Sequence, residues 1–387
     1  MDSYIFRQPR EIFYGQQALL KAAAAAGKYG QKALLISDKN LAELGYINKV
    51  KKIFGEQKLE IEVFAEINSE PDDLQVEQAL NYFKAKNCDF IIALGGGSPI
   101  DTAKAVAIML NHPGHIRDYQ GLNKLNNQLT PVIAIPTTAG TGSEATQYTV
   151  INDLKNDVKM LIGDPRIIPE IAVVDPELTL SVPAKITAAT AFDALTHAIE
   201  GYTSVNHQPL TDTLALSAVK RIFNNLETAC QNPADLQART QLALAALEAG
   251  MVINNSSVTI VHGMSRPLGA LYHLPHGLSN AVLLTNCLEY AASGAPDRFA
   301  EVARAIGVEA DKQDQLTIAQ VGIAKIKELA QKLNIPENIS QLEILEESYL
   351  ANLDKMATDA LASGSPANTY QSVDQNAIIE IYKKLTT

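Results

Sequence analysis

The first half of this chain alternates short apolar runs with amphipathic segments, a pattern that few folds accept. Ala33-Leu34-Leu35-Ile36-Ser37-Asp38, residues 60–67, Phe90-Ile91-Ile92-Ala93-Leu94 and Val132-Ile133-Ala134-Ile135 are each four to eight residues long and rich in Ile and Val. Such runs read as strands buried on both faces. Between them, residues 17–26, 46–54, 73–85 and 102–110 space apolar residues three and four apart, as helices do. The β-α-β-α order predicts a parallel sheet with helices on both faces. After Ile171-Ala172-Val173-Val174-Asp175-Pro176 the strand signals stop. From Pro183 the pattern is helical, over 189–201, 211–223, 236–252 and 318–333. The expectation is an α/β domain over 1–180 and an all-helical domain over 181–387, divided at the Leu180-Ser181-Val182-Pro183 turn.

A chain of 387 residues with 47% hydrophobic and 19% charged residues is long and apolar enough to bury large cores. Lys and Arg total 32 against 43 Asp and Glu, a net charge of −11, which is the wrong sign for gripping a phosphate backbone and excludes nucleic acid as a partner. Cys88, Cys230 and Cys287 are too few and too unevenly spaced for a disulfide framework or a thiolate zinc site, so a reducing compartment is expected. Met1-Asp2-Ser3-Tyr4-Ile5 lacks the order of a signal peptide, and no uncharged apolar run approaches the roughly 20 residues of a membrane span. A soluble, cytoplasmic protein without membrane attachment is the expectation. Five of the seven histidines (His197, His207, His262, His273 and His276) fall within one stretch of 80 residues. His112, His115 and His207 lie in polar, loop-like segments and read as solvated.

The strand at 90–94 runs directly into Gly95-Gly96-Gly97-Ser98-Pro99-Ile100-Asp101-Thr102-Ala103-Lys104. Glycines permit positive φ and close approach of a ligand to the backbone. Ser98 as N-cap, Pro99 at N1 and Asp101 at N3 would define the helix start, with free N–H groups facing a pyrophosphate. The spacing is not G-x-G-x-x-G, because Ile100 stands where the third Gly would be, so a tightly packed structural turn is the alternative. A second loop, Pro136-Thr137-Thr138-Ala139-Gly140-Thr141-Gly142-Ser143-Glu144, also follows a strand, and two such loops make a crevice suited to a dinucleotide. Asp38 ends an earlier strand; it either accepts from an adenosine ribose while repelling a 2′-phosphate, or caps the Lys39-Asn40-Leu41 turn.

In the helical half, Asp193 and His197 stand at i and i+4 on one helix face, and His262, His273 and His276 follow in a segment punctuated by Gly and Pro. One Asp with three His makes a mixed site for Fe2+, Zn2+, Ni2+ or Mn2+. Taken singly, the pair reads equally as a surface ion pair, and a lone His near Gly as a cap.

Together these motifs resemble the iron-containing, or group III, alcohol dehydrogenases, with dehydroquinate synthase and glycerol dehydrogenase as distant relatives. The matching pieces run from Gly15 and Asp38 through both glycine loops to Asp193-Ala194-Leu195-Thr196-His197-Ala198-Ile199-Glu200, Val261-His262-Gly263-Met264 and Pro275-His276-Gly277-Leu278-Ser279-Asn280-Ala281. The resemblance implies an N-terminal dinucleotide-binding α/β domain followed by an all-α metal-binding domain. It implies a divalent metal, iron first, held by Asp193, His197, His262 and His276. It places NAD, in preference to NADP, along Asp38, Asn68, Gly96, Gly97, Ser98, Asp101, Thr137, Thr138, Thr141, Lys159 and Leu178; of these, Asn68, Lys159 and Leu178 rest on the resemblance alone. The implied activity is reversible hydride transfer between NAD(H) and a small primary alcohol, diol or aldehyde, by a homodimer or larger homo-oligomer. A dehydroquinate-synthase-like lyase or a glycerol-dehydrogenase-like polyol enzyme is the alternative; the lyase would need several cationic groups, and from 183 to 276 the basic residues are only Lys185, Lys220, Arg221, Arg239 and Arg266.

The chain departs from the family where a second histidine commonly follows His262 by four residues, near the nicotinamide; Arg266 stands there. Arg exchanges no proton near neutral pH. Either the alcohol proton leaves through His273, a ribose hydroxyl or water, or Arg266 holds a substrate anion, or it pairs with a neighbouring carboxylate. Ile253 likewise replaces an aromatic common in relatives, which bears on pocket size.

Overall fold

A computed structural model describes residues 3–67, 70–156, 158–309 and 313–386. The chain divides into two compact units, Arg7–Ser181 and Val182–Thr387, the latter joined by Met1–Phe6. The first residues of the chain thus belong with the helical unit and not with the sheet that follows them; Gln208 Nε2 donates to the Ile5 carbonyl, 3.3 Å away.

The strands of the first unit are β1 (Glu11–Tyr14), β2 (Lys32–Asp38), β3 (Glu60–Ile67), β4 (Phe90–Gly95), β5 (Gly121–Leu122), β6 (Val132–Pro136), β7 (Tyr148–Asp153), β8 (Val158–Gly163) and β9 (Ile171–Val174). Its helices are α1 (Ala18–Ala26), α2 (Lys39–Glu43), α3 (Tyr46–Glu56), α4 (Asp73–Ala85) and α5 (Gly97–Asn111). Six strands form a parallel sheet in the order β1-β9-β6-β4-β2-β3; β5, β8 and β7 form a small second sheet. The apolar runs are continuous because both faces are covered. Leu34, Ile36, Ile91, Ala93, Val132 and Ala134 pack against α4 and α5, while Ala33, Leu35, Ile92, Leu94, Ile133 and Ile135 pack against α1 and α3.

The second unit is helical: α6 (Ala184–Thr203), α7 (Pro209–Gln231), α8 (Leu236–Asn255), α9 (Ile260–Tyr272), α10 (His276–Ala291), α11 (Pro296–Ala305), α12 (Gln315–Lys332), α13 (Glu346–Ala351), α14 (Leu353–Ala362) and α15 (Gln375–Lys383). Among the described residues no single helix is long and apolar enough to cross a membrane; α8 and α9 reach that composition as a pair but are bent by 103°.

Two histidines read as solvated are not. His112 is buried: its Nδ1–H donates to the Ile108 carbonyl (3.1 Å), and its Nε2 accepts from Asn126 and Asn127 N–H (3.1 and 3.2 Å). His207 is half-buried, with Nδ1 3.0 Å from Asp212 Oδ2. In both cases the polar neighbours that suggested solvent are the hydrogen-bond partners. His115 is exposed.

Candidate active site

Helix α6 presents Asp193, His197 and Glu200 at i, i+4 and i+7, all buried and on one face. His262 comes from the first turn of α9, and His276 is the first residue of α10. Gly277 permits that arrangement, since a Cβ there would lie 2.7 Å from the Ala189 carbonyl oxygen of α6. One donor atom from each of Asp193, His197, His262 and His276 lies within 4.8 Å of the others. Asp193 Oδ1 is 3.7 Å from His197 Nε2, 3.8 Å from His262 Nε2 and 3.6 Å from His276 Nε2.

Supporting groups aim these donors. His262 Nδ1–H donates to Glu200 Oε2 at 2.5 Å, which turns its Nε2 lone pair toward the centre. Glu200 Oε1 also accepts from Thr259 Oγ1 (2.7 Å) and Val261 N–H (2.6 Å). Asn280, one turn beyond His276, places its amide nitrogen 2.7 Å from Asp193 Oδ1, 3.1 Å from His262 Nε2 and 3.3 Å from His276 Nε2, while its Oδ1 is buried without a partner. An amide offers two protons to these three acceptors, so lone pairs outnumber donors where the four side chains meet. One carboxylate and three imidazoles suit Fe2+, Zn2+, Ni2+ or Mn2+, and the residues fit such an ion. Burial pushes the Asp193 carboxyl up, yet His197, His276, His262 and the Asn280 amide hold it below its ordinary value. Burial, together with His197 and His276, keeps His262 well below its ordinary value, in the neutral form that ligates metals.

Arg266 lies one turn after His262 on α9, largely buried, and its Nη1 donates to Ser365 Oγ at 3.0 Å. It makes no ion pair among the described residues, so the carboxylate-partner reading fails. His273 caps α9 in the left-handed region (φ 53°), is exposed, and is not among the converging donors.

In the first unit, β4 ends at Gly95, whose φ of +152° no side chain adopts easily and where a Cβ would meet Pro99 at 2.5 Å. The helix start differs from the sequence expectation: α5 begins at Gly97 with Gly96 as N-cap, and no side chain caps it. Ser98 is therefore inside the first turn. Asp101 does not close a capping box, because its carboxylate is drawn sideways to Ser143 Oγ (2.7 Å) and Val150 N–H (2.9 Å). Gly96, Gly97, Ser98, Thr138 and Thr141 are partly exposed at the sheet's carboxyl edge, and Thr137, buried, donates its N–H to the Gly95 carbonyl at 2.9 Å. An uncapped helix N-terminus beside partly exposed glycines suits a pyrophosphate.

Asp38 caps α2, accepting from Leu41 N–H at 3.0 Å. Lys159 Nζ is 2.7 Å from Glu70 Oε1, and the Leu178 side chain is buried in the apolar layer beneath α1 and α3. Asn68 lies outside the described residues. Sequence reasoning missed the roles of Glu200, Asn280 and Lys104. The signal was spacing: Glu200 is seven residues after Asp193, Asn280 four after His276 and Lys104 three after Asp101. Lys104, fully buried, donates to Ser143 O (2.7 Å), Thr146 O (2.9 Å) and Tyr148 O (2.8 Å), and so ties α5 to the second loop. Burial pulls its ammonium down to about 8 and pushes the neighbouring Glu144 carboxyl up to about 7.

Comparison with known proteins follows these features. Residues 9–176 match the family described as "Iron-containing alcohol dehydrogenase", and residues 187–386 match "Fe-containing alcohol dehydrogenase family, C-terminal". A 1,3-propanediol dehydrogenase of Citrobacter freundii is 37% identical over 379 residues, 97% of each chain. An NAD-dependent methanol dehydrogenase of Bacillus methanolicus is 37% identical over 346 residues, 89% of this chain and 91% of its own. The crystal structure of a 1,3-propanediol oxidoreductase superposes with a TM-score of 0.96 at 34% identity, covering 99% of this chain and 100% of that one. Fold and site together define an oxidoreductase acting on CH–OH groups. The chain belongs to the iron-containing alcohol dehydrogenase family.

Proposed function

We propose that this protein is an NAD-dependent dehydrogenase, with NADP the poorer cofactor, that interconverts small primary alcohols or diols and their aldehydes. The observation that carries the reading is the convergence of Asp193, His197, His262 and His276 within 4.8 Å. These four residues would hold a divalent cation, iron first, with Zn2+, Ni2+ or Mn2+ as substitutes. When bound, such a cation would supply Lewis acidity toward the substrate oxygen, and a nicotinamide cofactor would supply the hydride acceptor or donor. Glu200 fixes the ring of His262, and Asn280 holds Asp193, so the donors keep their geometry without reorganisation.

The Gly96, Gly97 and Ser98 turn would take the cofactor's pyrophosphate on backbone N–H groups, with Thr137, Thr138 and Thr141 flanking it. Asp101 and Lys104 hold the two loops together. The second carboxylate oxygen of Asp38 would accept from the adenosine ribose. Lys159, Leu178 and Asn68 are carried from the family resemblance; with Arg266 in place of a second histidine, the alcohol proton would leave through His273, a ribose hydroxyl or water. A cytoplasmic homodimer or larger homo-oligomer is part of the same reading; the free Cys88, Cys230 and Cys287 support a reducing compartment.

The test is chelation. Dialysis against a chelator should abolish NADH-dependent reduction of small aldehydes, and Fe2+, Zn2+, Ni2+ or Mn2+ should restore it; full activity at zero metal content overturns the reading.

A further inference from the structure

Arg266 differs from every other buried or half-buried arginine of the helical unit. Arg221 pairs with Glu248 at 3.2 Å and Arg298 with Asp212 at 2.6 Å. Arg239 donates to Thr187 Oγ1 (2.7 Å), Pro233 O (3.1 Å) and Val182 O (3.0 Å). Arg266 has one hydrogen bond, to the buried hydroxyl of Ser365, and no carboxylate. Glu200, whose charge acts on Arg266 without forming an ion pair, is committed to Thr259, Val261 and His262. A guanidinium carries five N–H donors in a rigid fork, and four of these have no acceptor among the described residues. None of them is sealed away from open space among the described residues. A half-buried guanidinium with no ion-pair partner among the described residues, and with donors still open to solvent, can take an anion supplied from outside on its fork.

Position says which anion. The i to i+4 spacing on α9 sets Arg266 on the same face as His262, with their backbone positions about 6 Å apart along the helix axis. We propose that Arg266, pinned by Ser365, is a specificity-determining residue that receives the acidic end of a short-chain aldehyde or alcohol carrying a carboxylate or sulfonate, while the carbonyl end is held at the Asp193, His197, His262 and His276 centre. This names the substrate class of the dehydrogenase reading and rests on it. The planar fork can meet two oxygens of either anion side by side, a geometry an ammonium lacks.

The experiment uses the metal-loaded chain with NADH and compares 4-oxobutanoate and sulfoacetaldehyde with butanal. The wild type should prefer at least one anionic aldehyde by kcat/KM. In Arg266→Met the ratio of anionic to neutral kcat/KM should fall about 30-fold, chiefly through KM, and Arg266→Lys should recover only part of it. Titration calorimetry with succinate, an unreactive probe, supplies a readout independent of turnover: it should bind the wild type and not Arg266→Met, with Arg266→Lys deciding if the methionine variant misfolds. Preference for butanal, an unchanged ratio in Arg266→Met, or succinate binding indifferent to Arg266 overturns the proposal and leaves the dehydrogenase reading standing. Turnover of no aldehyde overturns the dehydrogenase reading, and the succinate titration then decides the role of Arg266 alone.

Discussion

Glu200 stands outside the four converging donors, yet it holds one of them in place. Its carboxylate accepts a hydrogen bond from His262 Nδ1–H and so decides which ring nitrogen of that histidine presents a lone pair to Asp193 and the other imidazoles. Two further donors, Thr259 Oγ1 and Val261 N–H, keep it from rotating away. Replacing it by an amide of the same shape leaves a group that can offer His262 a proton as well as accept one, so the tautomer is no longer fixed. Glu200→Gln should lower Zn2+ affinity by about 10- to 100-fold in a competition titration against a chromophoric chelator. Affinity equal to wild type would remove Glu200 from the support of the site.

At the scale of elements, α5 and the loop that follows β6 act as one piece. Asp101 and Lys104, one helical turn apart, both reach Ser143, and Lys104 closes over Glu144. Burial raises Glu144 from 4.5 to about 7, so the native chain keeps its proton where the unfolded chain has lost it. The native state then binds more protons than the unfolded state across that window, and stability falls as pH rises from about 4.5 to about 7. Chemical denaturation at pH 5 and pH 7.5 should show wild type losing about 2 kcal/mol relative to Glu144→Gln over that range. A pH-independent difference between the two proteins would mean that Glu144 is ionised throughout. The core strands of this unit were legible in the sequence because a strand covered on both faces leaves an uninterrupted apolar run. The β7–β8 hairpin was not, since only part of its pattern is apolar and it packs through Thr149 and Val150 onto Asp101, a tertiary contact. The start of α5 was misplaced for a related reason: Ser98 and Asp101 spell a capping box locally, but Ser143 and Val150 compete for the Asp101 carboxylate and win. The four metal-ligand candidates were readable from the i, i+4 pair and the family resemblance, whereas Asn280 and Glu200 gained their roles only when α6, α9 and α10 came together.

At the scale of the whole molecule, the two candidate sites lie in separate stretches of chain, and their ligands should leave separate footprints. The proposed dinucleotide elements fall within Arg7–Ser181 and the metal-ligand candidates within Val182–Thr387. Within the helical unit, α9 is the element we expect a bound cation to stabilise most. Pro267 removes one i to i−4 hydrogen bond from its interior, and His273 ends it in the left-handed region, a conformation that costs free energy for any residue but glycine. His262 ties the first turn of this weakened helix to α6 through Glu200. A cation shared by His262, His197, Asp193 and His276 would add a bond from α9 to both α6 and α10, and ligand binding suppresses local opening in proportion to its affinity. Amide hydrogen exchange of the metal-free chain should therefore be slowed by Zn2+ most strongly in residues 260–266, with smaller effects near 193–200 and 276–280. NAD should instead slow residues 95–103 and 137–146, whose N–H groups line the glycine turn and the loop bound to Lys104. Zn2+ protection centred on the glycine turn, or no change in α9, would break the assignment of the metal to the Asp193 and histidine centre.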